Sequence, residues 1–192
     1  MTMKTALIAG VPLAALAALA GCNKSPGVDL KNAKPKEVAS AVNGAGGPAS
    51  FIRPGKWVTA SHVTEANMPG MPPAIAERMK QAMSRTTSHE SCITEADVKK
   101  PKEDFFAGNQ KDCTYDHFTM SGGTLDTKMT CKSGGGSMTM AMAGTYSADH
   151  YTAHTTMSGT GMGPGGGEMM IKADIEAKRV GECTKAEEEE DK

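Results

Sequence analysis

The sequence predicts a mainly β fold: an antiparallel meander or partial barrel of about six or seven strands, covered by one α-helix and stapled by two disulfides. Three observations predict it. From Cys113 onward the chain runs as short Thr- and Met-rich stretches separated by Gly, the cadence of strands and hairpins. Only 4% of the residues are aromatic while 22 are Gly and 15 are Met, so the core is thin and needs covalent support. Five cysteines are present, and four of them fall between residues 92 and 183.

In chain order, the first segment is an address. Met1-Thr-Met-Lys4 precedes an apolar run from Ala6 to Ala20, and the run ends in Leu19-Ala20-Gly21-Cys22. A positive start, an apolar stretch and small residues describe a secretory signal over residues 1–21. Thr5 to Gly21 is 17 residues built mainly of Ala, short and weakly apolar for a membrane span. The ending resembles the bacterial lipoprotein box, in which the Cys thiol takes a diacylglyceryl group and becomes the new N-terminus. Cys22 is thus the predicted lipid attachment site, and the membrane the predicted partner through its acyl (palmitate-type) anchor. Asn23 rather than Asp follows, which by resemblance to enterobacterial sorting rules implies the periplasmic face of the outer membrane.

Cleavage would remove Lys4 and no other charge, turning 21 cations against 22 anions into 20 against 22. That balance excludes the basic footprint of a nucleic-acid binder. Residues 22–50 read as the lipidated Cys and a flexible linker, because only Val28, Leu30, Val38 and Val42 interrupt Lys, Asn, Pro, Gly, Ala and Ser. Such a leash would reach about 30 Å.

The domain proper is expected over residues 51–183, with an acidic disordered tail over 184–192. Arg53-Pro54-Gly55 is a turn, and Lys56 to Thr64, with Trp57 and β-branched neighbours, reads as the first strand. Pro72-Pro73 opens a helix whose Ile75, Met79, Ala82 and Met83 form one apolar stripe facing a sheet. Ser88 to Ile93 is a short strand; Thr94 and Asp97 make a capping box, and Pro101 stops the turn of helix that follows. Cys113–Met120 and Thr124–Cys131 form a hairpin about Gly122, and Met138–Ser147 and His150–Ser158 a second about Ala148-Asp149. Glu168 to Val180 is the last strand.

The chemistry-bearing residues are few. Beyond Cys22, the thiols of Cys92, Cys113, Cys131 and Cys183 imply two disulfides in an exported chain, and their long spacing argues against a Cys₄ zinc site. Of the three pairings, hairpin symmetry favours Cys113–Cys131, with Tyr115 opposite Met129 and His117 opposite Thr127; Cys92–Cys183 remains. Met138, Met140 and Met142 alternate, so three thioethers project from one strand face. Core packing is the favoured role, and Cu(I) coordination by the same three is the alternative. His150 and His154 stand about 13 Å apart on a strand, too far for one ion. Gly161 to Gly166 matches a dinucleotide glycine pattern by letter but leads into a strand, so it reads as a loop. No nucleophile elbow, zincin motif or phosphate loop is present, and no cofactor is expected.

Pro54-Gly55-Lys56-Trp57, Met68-Pro-Gly-Met-Pro-Pro73, Cys92-Ile-Thr94, Met120-Ser-Gly-Gly123 and Arg179-Val-Gly-Glu-Cys183 together resemble the Gram-negative bacterial family catalogued as domain of unknown function 3617. The resemblance covers residues 51–183. It implies a small secreted or lipid-anchored periplasmic protein and no established activity. The family's opening strand often has an acidic residue after the Trp, where Val58 stands here. The expected function is therefore an outer-membrane-anchored periplasmic lipoprotein, a non-enzymatic module binding a small apolar ligand or an envelope protein. The alternative is a Met-rich copper-handling envelope protein.

Overall fold

Alternation of apolar and polar side chains over long stretches leaves each strand with one face to bury, and the chain meets that need with a single open sheet. The computed structural model describes residues 27–99, 112–133, 135–161 and 167–186. The signal segment, Cys22, Pro101 and the acidic run Glu187–Asp191 lie outside the described residues, as does most of the Gly161–Gly166 loop. The elements are β1 (Val28–Ala33), α1 (Pro35–Gly44), a single 3-10 turn (Pro48–Ser50), β2 (Gly55–Asn67), α2 (Pro73–Met83), β3 (Thr87–Ile93), α3 (Glu95–Lys99), β4 (Cys113–Ser121), β5 (Thr124–Ser133), β6 (Gly136–Tyr146), β7 (His150–Thr160) and β8 (Met169–Gly181). Among the described residues no helix is long and apolar enough to cross a membrane.

All eight strands join one antiparallel sheet in the order β1-β4-β5-β6-β7-β8-β2-β3. β4 to β8 form the predicted meander. The β4–β5 turn is Gly122-Gly123, with φ of 58° and 81°, the two-residue turn whose twist matches its strands. β2 and β3 add to the free side of β8, and β1 adds to β4, leaving β1 and β3 as edges.

Three expectations need correction. The segment over residues 23–50 is not simply a leash: it supplies β1, the eighth strand, and α1. Few as they are, Val28, Val38 and Val42 are all buried, packed with Phe51, Tyr115 and Phe118 in the main core cluster. Next, the predicted covering helix is not the one that covers. α2 buries no residue, and Ile75 is 50% exposed, whereas α1 buries Val38, Ala39 and Val42 and lies on β1 and β4. Finally, β4 carries a bulge between Tyr115 and His117. The extra residue shifts the register, so Phe118 rather than His117 stands opposite Thr127, and His117 stands opposite Lys128. The aromatic ring then meets Tyr115 edge-on at 5.4 Å, inside the core.

Candidate functional site

Residues opposite each other in adjacent antiparallel strands share a face, so the register sorts the sheet into two surfaces. The outer surface is polar. His154 Nδ1 lies 2.6 Å from Asp174 Oδ1, His150 Nε2 lies 3.2 Å from Glu176 Oε1, and His117 Nε2 lies 3.0 Å from Asp126 Oδ1. Lys178 beside Glu176, and secondarily His150, hold that carboxyl below the usual carboxylate range. His150 and His154 thus each face a different carboxylate on β8. Among the described residues, no group of three or more His, Cys, Asp or Glu is gathered to hold a metal ion.

The inner surface is built from sulfur and small side chains. One rung runs Tyr115, Met129, Met140, Met157, Ile171 across β4 to β8. The rungs on either side are Cys131, Met138, Gly159, Met169 and Thr127, Met142, Thr155, Ala173. Met138, Met140 and Met142 therefore do share one face, as β alternation requires. Their environments differ. Met138 and Met129 are buried, at 8% and 6% exposure, whereas Met140, Met142 and Met157 are half-buried.

That gradient follows the helices. Toward β1 and β4 the inner face is sealed by α1 and Phe51, and burial there pushes the Tyr115 hydroxyl up to about 12. Over β6, β7 and β8 the inner side chains Met140, Met142, Met157, Ile171 and Ile175 are only half-buried. At the Val28 end of the sheet, Trp57 closes the surface. It is 1% exposed, its Nε1–H donates to Arg53 O at 3.1 Å, and its ring lies 6.0 Å from that of Tyr151. Among the described residues, this part of the inner face is thus lined by half-buried Met and Ile side chains.

Four thiols form two bridges, Cys113–Cys131 within the β4–β5 hairpin and Cys92–Cys183 between β3 and the end of β8. The Cα atoms are 4.0 and 5.7 Å apart, respectively. The recurrent phrases in the sequence also resolve into structure. Arg179 Nε–H donates to Pro54 O at 2.7 Å, and its guanidinium also pairs with Glu182. Gly55 has φ of 137°, and a Cβ there would run into Gly181 O and the Arg179 guanidinium. Pro54-Gly55-Lys56-Trp57 and Arg179-Val-Gly-Glu-Cys183 are thus two sides of one close β2–β8 crossing. Thr94 caps α3: its Oγ1 lies 2.6 Å from Asp97 Oδ2, and its backbone N–H donates to the same oxygen at 2.9 Å.

A family model described as "Protein of unknown function (DUF3617)" matches residues 52–183. The chain belongs to this family. The match spans β2 to β8 and both disulfides, while β1 and α1 precede it. No curated protein and no solved structure matches the chain.

The sequence pointed to the methionine row on β6 but not to its neighbours. Met129 and Met157 stand beside Met140 only because the hairpins fix the register, and the Ala148-Asp149 turn between β6 and β7 was the available signal for half of that.

Proposed function

We propose that this family member is an outer-membrane-anchored periplasmic lipoprotein that holds a small apolar ligand on the inner face of its sheet. One observation supports the reading most: the half-buried surface of Met140, Met142, Met157, Ile171 and Ile175, beside a core cluster that α1 covers. A sheet face of this composition loses free energy to water until something apolar covers it. Thioether side chains suit a ligand of variable shape, because Met is unbranched and repacks easily. No nucleophile or activated water is needed for such a role, and the module is read as non-enzymatic. Lipidation at Cys22 would place the sheet close to the bilayer, since only residues 23–27 separate that thiol from β1. Five extended residues span about 17 Å, far less than a 28-residue coil would.

The test is a native mass spectrum of the oxidised protein, followed by titration with N-phenyl-1-naphthylamine and its displacement by palmitate. The expected result is dye fluorescence that palmitate displaces and that Met140→Gln with Met157→Gln weakens at least tenfold. A bare mass with no dye binding overturns the proposal. A copper adduct lost when Met138, Met140 and Met142 become Leu overturns it in favour of thioether coordination.

A further inference from the structure

We propose that a cleft on the outer side of the sheet, at the end opposite Val28, binds a neutral saccharide ring. The cleft has a volume of about 340 Å³, at the small end of the range for ligand sites, which suits a single pyranose. Its polar lining is Asn67, Ser137, Thr139, Ser158, Thr160 and Glu168. Register explains the gathering: Ser137 stands opposite Thr160 and Thr139 opposite Ser158 across β6 and β7, while Asn67 reaches the same level from β2. Ser137 Oγ and Thr160 Oγ1 are 3.1 Å apart, so one hydroxyl already donates to the other and the pair presents a fixed donor with spare lone pairs. The remaining lining includes Pro69 and Met170, which offer C–H surface.

Hydroxyl-rich sheet surfaces are common, so the ligand class rests on the whole lining. Among the described residues no Lys, Arg or His lines the cleft, and Glu168 adds a negative charge, which disfavours an anion. An apolar chain would cover these hydroxyls and the Asn67 amide without answering their remaining donors and acceptors, at a cost for each. An ammonium ion only donates, and would leave the Asn67 amide N–H and the hydroxyl protons unanswered. A sugar hydroxyl both donates and accepts, as the Ser and Thr side chains do. The opposite, C–H face of a pyranose matches Pro69 and Met170. This site lies on the other face from the proposed apolar surface, so the two stand or fall separately.

The experiment is amide NMR on the full, oxidised chain, titrated with glucose, galactose, mannose and N-acetylglucosamine, with putrescine and inorganic phosphate as controls. At least one sugar should shift the amides of Ser137, Thr139, Ser158 and Thr160 saturably, while both controls leave them in place. Thr139→Val combined with Ser158→Ala should weaken that sugar tenfold or more. Glu168 is exposed and precedes β8, so Glu168→Gln leaves the sheet intact and should weaken the same sugar several-fold, which keeps the test independent of folding. Silence from all four sugars, a response to a control alone, or sugar shifts that both variants leave unchanged would overturn the proposal.

Discussion

Ala177 shows how single side chains set the shape of the inner face. It is fully buried, with Tyr151 opposite it on β7 and Thr59 on β2. On the same inner face the rings of Trp57 and Tyr151 lie 6.0 Å apart. Ala177→Leu would force a branched side chain into this fully buried position, and overpacking of this kind costs about 2 kcal/mol. A lowered urea midpoint with an unchanged slope is the expected reading; an unshifted midpoint would show that the position accepts the extra volume. Tyr115 makes a second residue-level prediction. Its folded value of about 12 lies above the ordinary 10.0, so the neutral phenol is favoured in the fold. Above pH 10 the unfolded chain sheds this proton first, so the stabilisation present below pH 10 is lost as pH rises toward 12. Tyr115→Phe should flatten that part of the stability–pH curve, and an identical alkaline slope in both proteins would refute the assignment.

At the scale of elements, α1 and α2 exchange the roles that their sequences suggest. α2 carries the larger apolar side chains on its stripe, yet Ile75 and Met79 are 50% and 37% exposed. α1 has only Val38 and Val42 as large apolar residues, yet both are buried almost completely, at 0% and 1%. Periodicity measures how amphipathic a helix is, and says nothing of whether a sheet lies within reach. β1 follows the same logic: a six-residue strand with alternate polar residues scores poorly alone, and forms because β4 offers it an open edge. Val38→Ala should therefore cost about 2 kcal/mol through lost burial and a residual cavity. Ile75→Ser and Met79→Ser should stay within about 0.5 kcal/mol of the parent. Chemical denaturation of the three variants separates this from the linker reading, which expects no effect at Val38. The β4–β8 meander, by contrast, was legible in advance, since its turns are written in local chemistry at Gly122-Gly123 and Ala148-Asp149. The bulge at Asp116 was not, because it depends on which of His117 and Phe118 the core accepts.

At the scale of the molecule, the sheet is open, and its β2–β3 side is held to the rest by the β2–β8 ladder, by side-chain contacts such as Arg179 with Pro54 and Trp57 with Tyr151, and by one covalent bond. β3 is an edge strand with four exposed residues, Thr87 to Glu90, and pairs only with the first half of β2. The Cys92–Cys183 bridge ties this edge to the end of β8, across β2, and joins positions 91 residues apart. The Cys113–Cys131 bridge joins neighbours 18 residues apart inside a hairpin that its Gly-Gly turn already specifies. Constraint of the unfolded chain grows with loop length, so the long bridge should contribute about 4.6 kcal/mol and the short one about 3 kcal/mol. Cys92→Ser with Cys183→Ser should accordingly lower the melting temperature more than Cys113→Ser with Cys131→Ser. The first pair should also aggregate, because an untied β3 exposes backbone donors and acceptors along an unprotected edge. Differential scanning calorimetry with light scattering reads both effects at once. If the hairpin variant proved the less stable and the more aggregation-prone, the stability of this sheet would reside in the β4–β5 side that α1 covers, and the long bridge would merely tether an edge that its hydrogen bonds already hold.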